Sequence, residues 1–249
     1  MSDLANLLML GGTGEAVELA ERLAGEPRMR VVTSLAGRTS KPTRPRGEYR
    51  IGGFGGVEGL KRYLADRRVD LLIDATHPFA TTISANAAAA CDALDVPRLI
   101  LARDPWSTSS GDRWIEVDDV DQAARAVSDL AQRIFLAIGR QELDAFAALK
   151  NVWFLVRLIE PLVQPPPLRD YTVITGRGPF TIESERRLLD QHRIEAIVAR
   201  NSGGTATYAK IAAAREMHLP VVMVRPPPLP PGDRAKTVAA AVDWVRRRI

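Results

Sequence analysis

The sequence predicts an α/β fold made of two parallel-sheet halves with a cleft between them. Two observations carry this prediction. Short apolar runs alternate with helical patterns along the chain, joined by short connections, which is typical of parallel sheets covered on both faces. In addition, segment 68–73 and the residues after it resemble segment 193–198 and the residues after it. We therefore expect two domains, residues 1–132 and 133–249, with ligands bound at the carboxyl ends of both sets of strands.

The elements follow from apolar periodicity and from glycine and proline signals. In the first half the predicted strands cover residues 7–10, 29–34, 48–51, 69–74 and 98–101, and the predicted helices cover 16–23, 57–65 and 82–94. In the second half the predicted strands cover 135–138, 153–157, 171–175, 194–199 and 221–224. The predicted helices there cover 142–149, 180–190, 205–217 and 236–247.

The composition is that of an ordinary globular protein, with 46% hydrophobic and 26% charged residues. The lone Cys91 excludes an internal disulfide and favours a reducing cytoplasm. We expect neither a signal peptide nor a membrane span. The net charge is +4 but only 6% of residues are aromatic, and the basic residues are scattered. We therefore expect a small anionic ligand and no nucleic acid. The oligomeric state is left open.

The first glycine loop follows the first strand. Gly11, Gly12 and Gly14 stand between that strand and a helix, so the main chain and the helix N-terminus can both approach a pyrophosphate. The spacing departs from the dinucleotide fingerprint, because Val17 stands where its third glycine should be. A glycine turn that binds nothing is the alternative for this loop.

The end of the second strand indicates which cofactor would bind. It carries Ser34 and Arg38 and no carboxylate, and a basic residue at this place accommodates the 2′-phosphate of NADP. The sequence therefore predicts an NADP(H) site in a Rossmann-like domain, with a solvated Arg38 as the alternative.

Further polar turns follow other strands. The run 52–56 holds four glycines, and 74–80 places Thr76 and His77 after a buried strand. For His77, helix capping or packing competes with acid–base chemistry. In the second half, turns 175–180 and 200–205, with Tyr208 and Lys210 at the start of the next helix, offer donors that suit a carboxylate-bearing substrate. For Lys210, an exposed position on that helix is the alternative. The three scattered histidines and single cysteine predict no metal site.

Several of these segments together resemble the precorrin-6A reductase family of cobalamin biosynthesis. They are Leu-Gly-Gly-Thr-Gly-Glu (10–15), Gly-Gly-Phe-Gly-Gly (52–56), Asp-Ala-Thr-His-Pro-Phe-Ala (74–80), Ile-Gly-Arg (138–140), and Asn-Ser-Gly-Gly (201–204) followed by Tyr-Ala-Lys-Ile (208–211). The resemblance implies an NADPH-dependent reductase without flavin or metal. It would deliver a hydride to carbon 19 and a proton to carbon 18 of the polycarboxylated tetrapyrrole precorrin-6A, giving precorrin-6B.

The resemblance also implies roles for individual residues. Those expected at the cofactor's phosphates and ribose, or in shaping the loop, are Gly11, Gly12, Thr13 and Glu15. Ser34 and Arg38 are expected at the 2′-phosphate, Gly53 and Thr76 on the nicotinamide side, and Gly52 is also expected to contact the cofactor. Those expected at the substrate's carboxylates are Arg140, Ser202, Tyr208 and Lys210. The proton donor is left open between His77, Lys210 and an ordered water.

Three alternatives remain at this point. The substrate could be the cobalt-containing counterpart of the anaerobic route, which the sequence does not distinguish. A two-domain nucleotide-dependent transferase would share the paired halves but gives no reason for Arg38. A non-catalytic nucleotide or nucleic-acid binder would account for the basic charge, and would be indifferent to the 2′-phosphate.

Overall fold

The computed structural model describes residues 4–37 and 45–249. Its strands are β1 (Ala5–Leu10), β2 (Met29–Leu35), β3 (Glu48–Ile51), β4 (Leu71–Asp74), β5 (Arg98–Leu101), β6 (Trp114–Val117), β7 (Arg133–Ala137), β8 (Trp153–Leu158), β9 (Asp170–Thr175), β10 (Ala196–Arg200), β11 (Val221–Val224) and β12 (Asp233–Ala235). Its α-helices are α1 (Gly14–Leu23), α2 (Gly56–Asp66), α3 (Thr81–Leu94), α4 (Val120–Val127), α5 (Ile182–Gln191), α6 (Ala209–Glu216) and α7 (Val238–Arg246). A 3-10 helix covers Arg140–Phe146, where the sequence predicted a helix from 142 to 149.

The strands form two six-stranded sheets in which all the neighbouring strands are parallel. The order is β12-β5-β4-β1-β2-β3 in the first sheet and β6-β11-β10-β7-β8-β9 in the second. Both follow one scheme, in which the strand order reverses beside the central strand, β1 or β7. Ligands of open parallel sheets bind outside the carboxyl ends of the strands at that reversal. The predicted α/β class with two Rossmann-like sheets is confirmed.

The chain divides into two compact units at a different place from the expected boundary at 132/133. One unit contains the described residues up to Asp104 together with Pro227–Ile249, and the other contains Pro105–Pro226. The expected boundary is corrected because β6 pairs with β11 in the second sheet, whereas β12 pairs with β5 in the first. β6 thus lies in the first half of the sequence but belongs to the second sheet, and β12 lies in the second half but belongs to the first sheet.

Each face of the first sheet carries its own apolar core. On one face α1 and α7 cover β1 and β4, with Leu7, Met9, Leu19, Ile73 and Val242 among the buried residues. On the other face α2 and α3 cover Leu8, Leu10 and Leu72. In the second unit α5 and α6 pack on a sheet face that contains Phe135 and Ile197. These packed layers hold the strand ends, and the polar turns after them, in fixed positions.

Candidate functional site

The loop after β1 lets the ends of the first two strands come close together. The Gly11 N–H donates to the carbonyl oxygen of Ser34 at 2.9 Å. A Cβ on Gly11 would lie 3.0 Å from Cγ2 of Thr33, which leaves almost no room for a side chain. Gly12 has φ +131°, a conformation that L side chains rarely adopt, and the space where its Cβ would stand is open. The loop therefore exposes bare main chain in front of α1.

Thr13 joins this loop to the neighbouring strand β4. Its Oγ1 accepts from the N–H of Ala16 at 3.1 Å, which caps α1, and donates to the carbonyl of Ala75 at 2.8 Å. Thr13 thereby fixes the helix N-terminus at the reversal of strand order, where the helix dipole favours an anion.

Glu15, in the first turn of α1, forms an ion pair with Arg103, which follows β5. Arg103, Thr13, Thr76, His77 and Lys236 line one pocket of the first unit, together with Glu15, Asp74, Pro78, Ser84, Ile100, Leu101, Ala102 and Leu229. The structure thus brings together the predicted residues Thr13, Glu15, Thr76 and His77. Arg103 and Lys236 add basic charge to the same pocket.

Ser34 lies at the end of β2, directly opposite Arg50 of β3 in the strand register. The Arg50 guanidinium donates to Oγ of Ser34 at 2.7 Å and to the carbonyls of Gly52 and Gly53, each at 2.9 Å. It also lies over the Phe54 ring, 4.0 Å from its centroid. Arg50 therefore fixes the end of β2 to the second glycine loop. Arg38, the other predicted contact of the 2′-phosphate, lies outside the described residues.

The second glycine loop opens α2. Gly52, Gly55 and Gly56 have φ of +119°, +79° and +81°, which explains why glycine occupies these positions. Gly53 has open space where a Cβ would stand. Like the first loop, this one presents main chain without side chains.

The turn after β4 is organised by Asp74. Its Oδ1 accepts from the Thr76 N–H at 3.1 Å and from the Thr76 hydroxyl at 2.7 Å, and Ser84 Oγ lies 3.4 Å from that hydroxyl. Asp74 is 2% exposed, and its Oδ2 has no hydrogen-bond partner among the described residues. His77 Nδ1 accepts from the N–H of Phe79 at 3.3 Å, so this nitrogen helps to shape the turn.

In the second unit, the turn after β7 is held by Glu142. Its Oε2 accepts from the N–H of Gly139 at 2.6 Å, and Arg200 lies 3.4 Å from the same carboxylate. Arg140, a predicted substrate contact, begins the 3-10 helix and is exposed. Arg140 therefore lies on the surface, next to a turn that Glu142 holds in place.

The turn after β10 contains two buried polar residues, Asn201 and Ser202. Asn201 bonds both main-chain groups of Trp106, and the Trp106 Nε1 donates to the carbonyl of Gly204 at 2.7 Å. Gly203 and Gly204 have positive φ, at +65° and +74°. The Asn-Ser-Gly-Gly motif therefore forms a rigid turn built around an indole.

Tyr208 is the residue before α6, and its hydroxyl has a structural partner. It accepts from Arg215 at 2.6 Å, and Arg215 in turn pairs with Asp112 at 2.9 Å. The Tyr208 hydroxyl can still donate its own proton to another group, since a phenol donates and accepts at once.

Lys210 is buried, with 6% exposure. Its Nζ donates to the carbonyl of Thr207 at 2.7 Å and lies 5.1 Å from the Trp106 ring centroid. Burial lowers the pKa of this ammonium group from 10.5 to about 7; the charge of Glu185 raises it, while Arg157 and Arg200 lower it further. A lysine with this pKa can both hold and release a proton near neutral pH.

The predicted site residues that the structure describes therefore divide between the two units: the expected cofactor contacts and His77 lie in the first, and Arg140, Ser202, Tyr208 and Lys210 lie in the second. Sequence reasoning missed Arg50, Arg103, Trp106 and Glu185. The only local signal was for Arg50, a basic residue two positions before the run of glycines.

Two possible further features are not found in the described ranges. Histidine, cysteine, aspartate and glutamate side chains in residues 4–37 and 45–249 form no group of three or more that could hold a metal ion. No helix in that part of the chain has both the length and the apolar surface needed to cross a membrane.

Comparisons with known proteins agree with the motifs. The family model for the precorrin-6x reductases CbiJ/CobK matches residues 6–246. The precorrin-6A reductase of Rhodococcus erythropolis is 46% identical over 245 residues, covering 97% of this chain and 98% of that protein. The precorrin-6A reductase of Rhodobacter capsulatus is 43% identical over 242 residues, covering 97% of this chain and 96% of that protein.

Two further comparisons extend this result. The cobalt-precorrin-6A reductase of Priestia megaterium is 27% identical over 249 residues, covering 95% of this chain and 96% of that protein. A solved structure of the CobK precorrin-6A reductase matches with a TM-score of 0.91 and 43% identity, covering 98% of this chain and 97% of that one. By its motifs, its fold and these matches, the chain belongs to the precorrin-6x reductase family.

Proposed function

We propose that the protein reduces precorrin-6A to precorrin-6B with NADPH, as a step of cobalamin biosynthesis. The observation that carries the proposal is similarity to precorrin-6A reductases along almost the entire chain, at 46% and 43% identity. The cobalt-precorrin-6A reductase of Priestia megaterium is only 27% identical, which favours the cobalt-free substrate. Membership in a reductase family also favours reduction over the transferase alternative.

The first unit fits a dinucleotide. Two loops of bare main chain, at Gly11–Gly12 and at Gly52–Gly53, and the capped N-terminus of α1 meet the needs of a pyrophosphate. When bound, NADPH supplies the hydride that is added to carbon 19. The chain's own task is to hold the nicotinamide in place and to exclude water. We assign Gly53 and Thr76 to that side of the cofactor.

We assign the 2′-phosphate to Ser34 and Arg38, as the sequence predicts, and add Arg50. A 2′-phosphate in this topology lies beyond the end of β2, where Arg50 donates to Ser34 Oγ. A guanidinium suits phosphate because it is planar, always charged and able to donate two parallel hydrogen bonds.

We assign the substrate's carboxylates to Arg140, Ser202 and Tyr208 in the second unit. Arg140 supplies an exposed charge, and the other two supply hydroxyl groups at the turn after β10 and at the start of α6. Precorrin-6A carries many carboxylates, which agrees with the basic composition of the chain, 34 basic against 30 acidic residues.

We assign proton donation to Lys210, with His77 as the alternative. The pKa of Lys210, lowered by burial to about 7, supports this choice. In the step, an Nζ–H bond of the ammonium group breaks as the C–H bond at carbon 18 forms, and a neutral amine remains. Together with the hydride at carbon 19, this proton completes the two-electron reduction of one double bond.

The cofactor assignment is tested by calorimetric titration with NADPH and NADH. We expect the native protein to prefer NADPH, and Arg38→Ala and Arg50→Met to reduce that preference about 10-fold or more, the value of one lost charged hydrogen bond. Arg30→Met is the matched control, because Arg30 lies on the same strand as Ser34 but pairs with Glu48 near its opposite end. Equal binding of both cofactors by the native protein would contradict the NADPH assignment.

The reaction itself is tested by incubating the protein with NADPH and either precorrin-6A or its cobalt-containing counterpart, following the absorbance of NADPH and mass spectra of the products. We expect turnover of precorrin-6A with a gain of two hydrogens. Turnover of the cobalt-containing compound alone would assign the protein to the anaerobic route. Comparison of Lys210→Met with His77→Gln then distinguishes the two candidate proton donors.

A further inference from the structure

The second unit contains a buried ion pair, although removing two charges from water costs free energy. Glu185 on α5 is 1% exposed, and Arg157 on β8 has a side chain that is 11% exposed. The two are joined by two hydrogen bonds, Arg157 Nη2 to Oε1 at 2.9 Å and Nη1 to Oε2 at 3.1 Å. Apolar residues of similar size usually replace a buried pair without loss of stability. Stability alone is therefore a weak explanation for the pair.

The carboxylate of Glu185 is held rigidly. The Arg157 guanidinium lies 4.8 Å from the Phe135 ring centroid and 4.2 Å from that of Phe180. Such contacts with two rings, together with the two hydrogen bonds, restrain the guanidinium. The negative charge of Glu185 is consequently fixed in place.

Glu185 and Lys210 lie in the first turns of two helices that pack together, α5 and α6. Both are buried, and the segments that lead into these helices are joined by a hydrogen bond from the Phe180 N–H to the carbonyl of Ala206 at 3.3 Å. At this interface the negative charge of Glu185 favours the ammonium form of Lys210 and so raises its pKa, against the larger opposite effect of burial.

The other charges that face Lys210 are positive. Arg157 comes from β8, and Arg200 comes from β10 with Glu142 of the 3-10 helix as its partner. The segment before β6 contributes the ring of Trp106. Burial and the two guanidinium groups oppose the ammonium form of Lys210, and the carboxylate of Glu185 favours it.

We propose that Glu185 is a positioning residue for Lys210. The Glu185 carboxylate holds the lysine in its ammonium form inside the second unit, and Arg157 fixes that carboxylate in place. The proposal rests on the proposed function, since it gives Lys210 the proton that the reduction consumes. It has two parts that are measured separately, the protonation of Lys210 and its effect on turnover.

The protonation of Lys210 is measured by NMR on the full chain labelled with ¹³C at lysine Cε. The chain has five lysines, and the Lys210 signal is the one that is lost in Lys210→Met. We expect it to titrate near pH 7 in the native protein. Glu185→Gln keeps the shape of the side chain and removes its charge, so the Lys210 titration moves down by about one pH unit or more.

Two further variants control the experiment. Arg157→Met removes a positive charge and moves the titration of Lys210 in the opposite direction, upward. Because loss of folding would also raise the pKa of Lys210 towards 10.5, it is the downward shift in Glu185→Gln that unfolding would not produce. Glu183→Gln makes the same charge change on the same helix, at a side chain that is 74% exposed, and leaves the titration where it is. If Glu185→Gln leaves the Lys210 titration unchanged, the proposal is overturned.

The effect on turnover is read from the pH profile of NADPH-dependent reduction. A proton donor is active while protonated, so we expect the decline of kcat with rising pH to begin about one unit lower in Glu185→Gln. If the Lys210 signal moves and the profile does not, the pairing of Glu185 with Lys210 stands and Lys210 is not the proton donor. Failure of the inference and failure of the proposed function are thus told apart.

Discussion

The side chain of Asn201 forms hydrogen bonds with both main-chain polar groups of Trp106. Its Oδ1 accepts from the Trp106 N–H at 2.7 Å, and its Nδ2 donates to the Trp106 carbonyl at 2.8 Å, between residues 95 positions apart in the sequence. An amide side chain is the one group that reproduces the donor and acceptor of a neighbouring strand in this way. The indole so held forms one wall beside the Lys210 ammonium group.

Asn201→Asp should destabilise the protein by about 1–3 kcal/mol, because a carboxylate keeps the acceptor but faces the Trp106 carbonyl without a donor. Urea unfolding followed by circular dichroism measures the change. Gln141→Glu makes the same chemical change at an exposed residue and should alter the free energy of unfolding by less than about 0.5 kcal/mol. Equal effects of the two variants would show that the hydrogen bonds between Asn201 and Trp106 contribute nothing to the free energy of unfolding.

Lys210→Met should stabilise the protein below pH 7, by roughly 1–4 kcal/mol, because it replaces a buried charge by an apolar chain of similar length. The pKa of Lys210 is lowered from 10.5 to about 7 on folding. Between these values the unfolded chain binds more protons than the folded one, so native stability rises with pH through this window. The advantage of the variant should therefore be full below pH 7 and shrink as the pH rises towards 10. Melting temperatures measured from pH 6 to pH 9 decide the matter, and a gap that widens with pH would refute this account of Lys210.

Gly59→Ala should destabilise α2 strongly, by about 2–3 kcal/mol or more. A Cβ at this position would overlap the carbonyl oxygen of Phe54, so the second glycine loop would have to move. Gly25→Ala is the control, because its Cβ meets no heavy atom within 4 Å and its φ is not positive. It should leave stability unchanged or raise it by up to about 1 kcal/mol. NADPH affinity should fall with the first variant only.

Cys91 should resist thiol reagents in the folded protein. It is 1% exposed, and burial raises the pKa of its thiol to about 12, so almost no thiolate forms at pH 8. Reaction with a chromogenic disulfide should be slow in buffer and fast in urea, at a rate that follows unfolding. Fast labelling of the native protein, with Cys91→Ala as the blank, would contradict the buried position.

The parts of the fold that the sequence predicts best are the buried strands with long apolar runs. The prediction missed β6 and β12, since only Val117 in the first and Ala235 in the second are buried. With one buried residue each, neither strand shows the alternation by which strands are recognised. The misplaced boundary at 132/133 follows from these two omissions, because the pairing of β6 and β12 decides the unit to which each segment belongs.

The residues of the candidate site likewise divide into those that the sequence predicts and those that it does not. The glycine loops, Thr13 and Thr76 are recognisable from local sequence, because a turn and its cap lie within a few residues. Arg103 and Glu15 are 88 positions apart, and Arg157 and Glu185 are 28 apart. Pairs of this kind are set by which strands become neighbours, so they are visible only once the strand order is known.

The pairing of β12 with β5 has a consequence for synthesis on the ribosome. The second unit, Pro105–Pro226, is continuous in sequence and is complete before β12 and α7 have been made. The first unit begins earlier but lacks β12 and the helix that supplies Val242, Trp244 and Val245 to its core until residues 227–249 emerge. All residues of the second unit are therefore synthesised before the first unit is complete. Until residues 227–249 are made, the apolar face of β1 and β4 that α7 covers in the folded protein stays exposed.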